Sequence, residues 1–238
     1  MPVVPTPPYN LYYPIHDLNT SVSKTLKSVF MDVETLKIDA PGFPVDNGTN
    51  GITTIIFPHV GVDFRTVTIT GDDGSGSPLV MAPEGLVARW EYPTPQAGPL
   101  TVSDYKLYST YFVGDPRDLS FDLFTYYGDP LGGNKQIRHC PLAIPLVNHS
   151  ELDRQAGMGE TANIYGSIAV YSSADSGGTE NMMDEMKKIL EATRANLPLF
   201  GQAGLQAFRT GIPRYNTYSD GGLLFEGLLD FSCFVKVK

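Results

Sequence analysis

The stretch GGLLFEGLLDFSCFVKVK, residues 221–238, alternates apolar and polar side chains along most of its length. One set of alternate positions is apolar: Phe225, Leu229, Phe231, Cys233, Val235 and Val237. The opposite set is Glu226, Asp230, Ser232 and Lys236, with Leu228 as an apolar exception. A period of two residues predicts a β-strand that is buried on one face. We expect a bulge or bend at Gly227, because about 15 residues exceed the usual strand length.

Two amphipathic helices are predicted to cover the apolar face of this strand, which would then lie inside the main sheet. The first spans residues 20–37, and its apolar positions recur at helical spacing: Val22, Leu26, Val29, Phe30, Val33 and Leu36. The second spans residues 179–197, and its buried stripe is Met182, Met186, Ile189, Leu190 and Leu197. The expected N-caps are Asn19, Thr20 or Ser21 for the first helix and Thr179 for the second. Met183 falls off the stripe and is a candidate contact residue.

The region between the two helices is predicted to be rich in strands. The strand-like segments are Ile52–Phe57, Phe64–Thr70, Leu86–Tyr92, Lys106–Val113, Leu119–Tyr127, Leu142–Val147 and residues 162–174, and a short strand at Leu205–Arg209 follows the second helix. Turn clusters such as GDDGSGSP and GDPLGGN separate the earlier segments without an intervening helix, which favours antiparallel pairing. We therefore predict an α+β fold, a mainly antiparallel sheet covered by two amphipathic helices, with a β-rich insertion.

The predicted organisation of the chain has three parts. Residues 1–18 form an extended arm, because five prolines in this segment disfavour a helix. Residues 19–60 and 160–238 form the α+β core domain. Residues 61–159 form the β-rich insertion.

Charge and composition narrow the possible partners. The chain carries 17 Lys and Arg residues against 26 Asp and Glu residues, and it has no basic cluster. Nucleic-acid binding through a basic face is therefore not expected. No apolar run approaches the roughly 18 residues that span a membrane, and the N-terminus lacks the basic start and apolar core of a secretory signal. Two cysteines, Cys140 and Cys233, provide no disulfide framework.

Candidate metal sites in the sequence are weak. His139, Cys140 and His149 could supply three zinc ligands, but their spacing matches no usual zinc site and prolines interrupt the segment. The acidic cluster GDDGSGS at residues 71–77 lacks the ordered acids and final Glu of an EF-hand calcium loop. A hairpin turn is the simpler interpretation of that cluster.

Candidate residues for carbohydrate chemistry are also ordinary strand and turn residues. Asp115, Asp118 and Asp122 could provide paired carboxylates for glycoside hydrolysis. The tyrosines that could line a sugar-binding face are Tyr105, Tyr108, Tyr111, Tyr126 and Tyr127. No nucleophile elbow, zinc-protease motif or dinucleotide fingerprint occurs in the sequence. We predict that the protein is not an enzyme, and we assign no catalytic, cofactor-binding or metal-binding residue.

The C-terminal third carries a resemblance to a known family. A strand, a Ser/Asp/Gly turn and an amphipathic helix in ANIYGSIAVYSSADSGGTENMMDEMKKILEATRANLP precede GLQAFRTGIPRYNTYSDGGLLFEGLLDFSCFV. This order resembles the tail-terminator (tail-completion, neck) proteins of tailed bacteriophages, in which an early helix, a sheet, a second helix and a final long strand form an α+β domain. The first helix and GITTIIFP fit the opening of that pattern, so the resemblance covers residues 15–60 and 160–238. Residues 61–159 depart from it, because small members of the family lack such an insertion.

The resemblance implies a structural protein of the virion, located at the tail or neck and assembled in the host cytoplasm. Such proteins form a homo-oligomeric ring, commonly of six subunits, that joins the tail tube to the head–tail connector. The implied partners are the tube, the sheath protein where the tail contracts, the connector proteins and DNA that passes without specific binding. No membrane and no cofactor are implied. The arm, exposed strand edges and Met183 are candidates for the heterologous contacts that a ring requires.

Three other interpretations stay open at the level of sequence. The chain could be another β-rich virion component, such as a capsid, decoration or baseplate protein. It could be a carbohydrate-binding or carbohydrate-hydrolysing module that uses the Tyr- and Asp-rich strands. It could also be an α+β domain whose role the sequence does not reveal.

Overall fold

A computed structural model describes residues 11–45, 53–59, 61–79, 88–112, 142–154, 160–173, 177–216 and 224–238. The chain divides into two compact units, which we call the main unit (Met1–Leu36 and Thr110–Lys238) and the short-strand unit (Lys37–Ser109). These boundaries differ from the predicted ones at residues 60/61 and 159/160. The difference arises because residues 37–45 pair with strands at residues 100–108, whereas residues 142–154 pair with residues 160–173.

The described part of the main unit contains three α-helices. Helix α1 spans Leu18–Asp32 between two 3₁₀ turns, at Ile15–Asp17 and Glu34–Leu36. Its N-cap is Asp17, which makes no side-chain capping bond, so the predicted caps were wrong; Asn19, Thr20 and Ser21 lie inside the helix. The additional 3₁₀ turn at the start moves the chain into helical geometry before those residues are reached.

Helices α2 and α3 span Gly178–Ala195 and Leu197–Gln202. The N-cap of α2 is Gly177 with φ 93°, so the predicted cap Thr179 was wrong; the left-handed glycine starts the helix without a side-chain capping bond. Pro198 lies in the first turn of α3, where a missing N–H is tolerated.

The described residues contain fifteen strands. Those of the short-strand unit are β1 Lys37–Ala40, β2 Phe43–Val45, β3 Thr54–Ile56, β4 Val62–Asp63, β5 Ile69–Thr70, β6 Ser77–Leu79, β7 Arg89–Glu91, β8 Leu100–Val102 and β9 Tyr105–Tyr108. Those of the main unit are β10 Tyr111–Phe112, β11 Leu142–Arg154, β12 Glu160–Ser173, β13 Gln206–Thr210, β14 Arg214–Asn216 and β15 Leu224–Val237. The predicted α+β class, with mainly antiparallel pairing and helices against the sheet, is confirmed.

The main sheet has the order β10-β11-β12-β15-β13, and β14 also pairs with β15. The pairing is antiparallel except between β10 and β11. Strand β15 therefore lies inside the sheet, as predicted, with β12 along one edge and β13 and β14 along the other. Tyr13 extends the second edge: its N–H donates to the carbonyl of Lys236 (2.8 Å) and its carbonyl accepts from the N–H of Lys238 (3.0 Å).

The bulge predicted at Gly227 is absent, because β15 keeps its register against β12 from residue 224 to residue 237. Glycine is needed there for a different reason. A Cβ atom at Gly227 would lie 2.0 Å from the sulfur of Met186, so the missing side chain leaves room for α2 to pack on the sheet. The register shifts of this sheet lie elsewhere, between Val147 and His149 in β11 and between Gln206 and Arg209 in β13.

One apolar core joins the helices to the main sheet. The buried residues from α1, α2 and β15 are Leu18, Val22, Leu26, Val29, Phe30, Met182, Met186, Ile189, Ala192, Leu229, Phe231, Cys233, Val235 and Val237. Leu197, predicted in the stripe of α2, is 46% exposed because α2 ends before it. Met183 is 40% exposed, which confirms that it lies off the stripe.

The described part of the short-strand unit contains three small sheets, with the orders β1-β9-β4, β2-β8-β5 and β3-β7-β6. The strands predicted at Ile52–Phe57 and Leu86–Tyr92 are present as the shorter β3 and β7, and only residues 69 and 70 of Phe64–Thr70 form a strand. The predicted Lys106–Val113 contains the end of β9 and all of β10, which belong to different sheets. The strand predicted at Leu119–Tyr127 lies outside the described residues.

The hairpin predicted at GDDGSGS was wrong, although the segment does turn. It connects β5 to β6, and these strands pair in different sheets. Gly71 and Gly74 adopt positive φ angles of 87° and 78°, and the carboxylate of Asp73 accepts a bond from the Ser75 N–H at 2.8 Å. The acidic side chain therefore stabilises the turn itself, as Asp commonly does.

Candidate interaction surface

One end of the main sheet presents exposed polar and aromatic side chains on the side opposite the helices. Because side chains alternate along a strand, the register places His149, Tyr165, Ser232 and Arg209 in one row across β11, β12, β15 and β13. The next row contains Glu151, Asn163, Phe234 and Gln206. We call these eight residues the open face. Towards the other end of the same side, Ile144 and Ala169 are buried.

Two aromatic side chains are prominent on the open face. Tyr165 is 44% exposed and Phe234 is 49% exposed. The ring of His149 stacks on Tyr165 with a centroid distance of 6.1 Å, and its Nε2 lies 3.1 Å from a carboxylate oxygen of Glu151. Sequence reasoning did not assign Phe234, although the alternation along β15 places it beside Ser232 and Lys236 on the polar side. An apolar residue at a polar position was the available signal for a contact surface.

A polar network adjoins the open face and links four strands. The Asn148 amide donates to the Ser167 hydroxyl (2.9 Å), which in turn donates to a carboxylate oxygen of Asp230 (2.8 Å). Arg214 donates to the same oxygen at 2.7 Å. Burial alone would raise the pKa of Asp230, but the bonds from Ser167 and Arg214 outweigh it and the pKa is lowered. The charged carboxylate therefore helps to fix the relative register of β11, β12, β14 and β15.

The backbone of β13 is distorted beside the open face. Ala207 has φ 49°, and among the described residues it is the only one other than glycine with a positive φ. This conformation costs roughly 1 kcal/mol for a residue with a side chain. The associated register shift puts Arg209 opposite Ser232, where it lines a cavity of about 320 Å³ with Tyr165 and Asp230. Bulges at sheet edges commonly redirect a side chain in this way.

Two edges of the main sheet have no partner strand within the described residues. Strand β11 pairs with β10 only at Leu142 and Ala143, so its outer edge is unpaired from residue 144 to residue 152. The outer edge of β13, residues 206–210, is likewise unpaired. Unpaired edges are sites where another chain can add a strand.

Two buried carboxylates lie outside this surface and are held by cations. On α2, Glu185 is 2% exposed, accepts a bond from the Thr110 hydroxyl and lies 2.5 Å from Lys188 Nζ. In the short-strand unit, Asp63 is 1% exposed, and its oxygens contact Lys37 Nζ (3.0 Å) and Arg65 Nε (2.9 Å). With both oxygens of Asp63 engaged, this cluster is suited to stabilising the fold.

The pKa of Asp63 reflects two opposing effects. Burial would raise it, but the bonds and charges of Arg65 and Lys37 outweigh burial and lower the pKa below its ordinary value. The carboxylate is therefore charged at neutral pH, and it compensates the charge of Lys37, whose side chain is 4% exposed.

The structure does not bring together the candidate metal or sugar-site residues that it describes. His149 is on the open face, whereas His139 and Cys140 lie outside the described residues; no group of three or more potential metal ligands occurs among those that are described. Tyr105 is 2% exposed and belongs to the core of the short-strand unit. The Tyr108 hydroxyl accepts a bond from Arg65 at 3.2 Å. The side chains of Tyr111, Asp115, Asp118, Asp122, Tyr126 and Tyr127 are not among those described.

None of the described helices is long and apolar enough to cross a membrane. Comparison with known proteins adds no identification. No protein-family model matches the chain, and a search of curated proteins gives no significant match.

Proposed function

We propose that the protein is a structural component of a bacteriophage virion, a tail terminator that forms a ring between the tail tube and the head–tail connector. The observation that carries this proposal is the order and packing of elements in the main unit. An early helix (α1), a long antiparallel hairpin (β11–β12), a second helix (α2) and a long final strand (β15) share one core. The order helix, sheet, helix and final strand is the one that the resemblance to tail terminators implies. In the structure, β11 belongs to this arrangement although it lies outside residues 15–60 and 160–238, and residues 37–60 belong to the short-strand unit instead.

The surface of the main unit suits a protein that acts by assembly. Two strand edges without a partner among the described strands flank a sheet whose open face carries exposed Tyr165 and Phe234. A net charge of −9 fits a ring through which DNA passes without specific binding. In this proposal the partners are further copies of the chain, the tail tube, sheath protein where the tail contracts, and the connector. The protein acts without catalytic turnover at the virion tail or neck, after assembly in the host cytoplasm.

Electron microscopy tests the proposal directly. We expect negative-stain images of the purified protein, alone or mixed with tail tubes, to show rings around a central hole. In particles, an epitope tag on the chain should be located at the junction between tail and head. A protein that stays monomeric and also fails to join a tube contradicts the proposal. Label on the capsid surface or the baseplate favours the other β-rich virion components.

A carbohydrate-binding module is the second candidate function, and the open face is the observation that favours it. Exposed Tyr165 and Phe234 lie beside Arg209 and Asn163, a combination of rings and planar polar groups that suits a sugar. Calorimetric titration with oligosaccharides tests this candidate. Binding that is lost in Tyr165→Ala, with the fold unchanged by circular dichroism, favours the module over the ring.

A further inference from the structure

We propose that, in the ring of the proposed function, the outer edge of β13 of one copy pairs antiparallel with the outer edge of β11 of the next copy. The inference rests on the proposed function only in requiring more than one copy of the chain. It assigns the two contact surfaces and their relative orientation. A head-to-tail contact of this type uses two different patches on each copy, which is the requirement for closing a ring.

Strand direction supports the pairing. Each of β11, β12, β15 and β13 is antiparallel to its neighbour, so β13 runs opposite to β11. When copies are related by rotation about one axis, β13 of one copy therefore continues the antiparallel alternation beside β11 of the next. The open faces of successive copies then lie on the same side of a continuous sheet.

The part of the β11 edge that has no partner among the described strands, and that could add a strand, is short. Pro145 has no N–H to donate, and the register shift at Asn148 interrupts the strand. Both features protect an edge from indiscriminate pairing. Residues 149–152 follow the shift. On β13 the matching regular part is Arg209 and Thr210, which follow that strand's own register shift, so the proposed pairing is centred on these residues.

Charge is complementary between the two edges. Within the two edge segments, residues 206–210 of β13 include Arg209 and no acidic residue, and residues 149–152 of β11 include Glu151 and neither Lys nor Arg. Arg209 and Glu151 are both exposed and both belong to the open face. Within one copy they are separated by β12 and β15, a span of about 14 Å across three strand spacings. A direct contact between these two side chains is therefore a contact between copies.

Exposed apolar side chains also accompany both edges. Ile212, which follows β13, is 85% exposed. Beside the end of β11, Leu152 is 46% exposed and Ile15 is 41% exposed, and both line a cavity of about 290 Å³. Burying such side chains between copies contributes favourable free energy to assembly.

A charge swap tests the pairing by sedimentation and ring counting at matched concentrations. Arg209→Glu or Glu151→Lys alone should raise the concentration needed for half-assembly about tenfold, because like charges would meet across the contact. The double variant should return to within about threefold of the wild type, since each contact regains opposite charges. Lys187→Glu, on the exposed side of α2, is the matched control and should assemble like the wild type. Circular dichroism verifies that each variant folds.

Hydrogen exchange provides a second test of the strand pairing, and it needs no variant. The outward-pointing backbone amides of residues 149–152 and 206–210 should exchange more slowly in assembled protein than in dilute protein, because strand addition bonds them to the next copy, whereas the inward-pointing amides already bond to β12 or β15. Rings that form without this protection overturn the inference while the proposed function stands. The same holds if Arg209→Glu and Glu151→Lys, each made alone, leave assembly unchanged. A wild type that stays monomeric at about 1 mM also overturns the inference. The proposed function fails only if the protein does not join a tail tube either.

Discussion

The main unit and the short-strand unit stabilise β-structure by different means. Strands β11, β12 and β15 of the main unit contain 13 or 14 residues each, and helices α1 and α2 cover them with apolar side chains. The strands of the short-strand unit contain two to four residues, and no helix occurs within its described part. The stability of the main unit therefore comes mainly from the burial of alternating apolar side chains. The stability of the short-strand unit depends more on individual contacts.

Specific contacts are visible throughout the short-strand unit. The ring of Phe57 makes edge-to-face contacts with Phe43, Phe64 and Tyr105, at centroid distances of 5.3–5.9 Å. Asp63 is held by Lys37 and Arg65. Short strands bury little surface each, so the loss of a single directional contact has a larger relative effect. The comparison predicts which substitutions lower the free energy of unfolding most. In the main unit these are substitutions in the apolar core, and in the short-strand unit they are substitutions in the ion cluster of Asp63, Lys37 and Arg65.

The largest effect is expected from Ile189→Asp in α2. Ile189 is fully buried against the main sheet, so the variant places a carboxylate in an apolar core without a cation to pair with it. We expect a loss of roughly 5 kcal/mol in the free energy of unfolding, enough to prevent folding of the unit. Urea unfolding followed by circular dichroism measures this loss in the free energy of unfolding. Lys187→Asp, two residues away on the exposed side, should cost about 0.5 kcal/mol; equal stability of the two variants would contradict the packing of α2.

The next effect is expected from Asp63→Ala in the short-strand unit. The variant removes the carboxylate that compensates Lys37 and Arg65, and breaking a buried ion pair costs about 3–5 kcal/mol. Asp39→Ala in the same unit is the control. The Asp39 side chain is 88% exposed, and its contact with Lys106 should contribute less than about 1 kcal/mol. If the two variants unfolded at the same urea concentration, the ion cluster would not be the sensitive feature of this unit.

The lowered pKa of Asp63 predicts how the stability of the short-strand unit changes in acid. The folded-state pKa of Asp63 lies below the ordinary value of 3.8, so its contribution to stability is present above pH 3.8 and is lost as the pH falls through the lowered value. The difference in unfolding free energy between the wild type and Asp63→Ala should therefore shrink at pH values below 3.8. A difference that stays constant down to acid unfolding would show that the charge of Asp63 does not stabilise the unit.

The regularity of each unit explains how well its structure was predicted from sequence. In the main unit, the alternation along β15 and the helical spacing in α2 are local patterns, so the buried residues Phe231 and Ile189 were identified correctly. In the short-strand unit, Asp63 pairs with Lys37, a partner far away in sequence, and no local pattern reports such a contact. The open face was missed in part, because its rows join residues from four strands and exist only once the register is set.

The smallest effect is expected from Tyr13→Phe in the main unit. This variant tests whether the stability of the main unit also depends on individual polar contacts. Tyr13 is fully buried, and its hydroxyl donates to the carbonyl of Ala203 at 2.8 Å. Tyr13→Phe keeps the ring and removes this bond, so we expect a loss of about 1–2 kcal/mol in unfolding free energy. Tyr12→Phe is the control, because Tyr12 is 49% exposed, and it should unfold like the wild type.

The Tyr13 contact also has a predicted pH dependence. Burial raises the pKa of Tyr13 from 10.0 to about 12, so its contribution is fully present below pH 10 and is lost as the pH rises through about 12. The stability difference between the wild type and Tyr13→Phe should therefore narrow over that interval in urea titrations at fixed pH. A difference that is unchanged across the interval would mean that the hydroxyl ionises as readily in the folded chain as in the unfolded one. Tyr13 would then not be enclosed by β15 and the segment after α3.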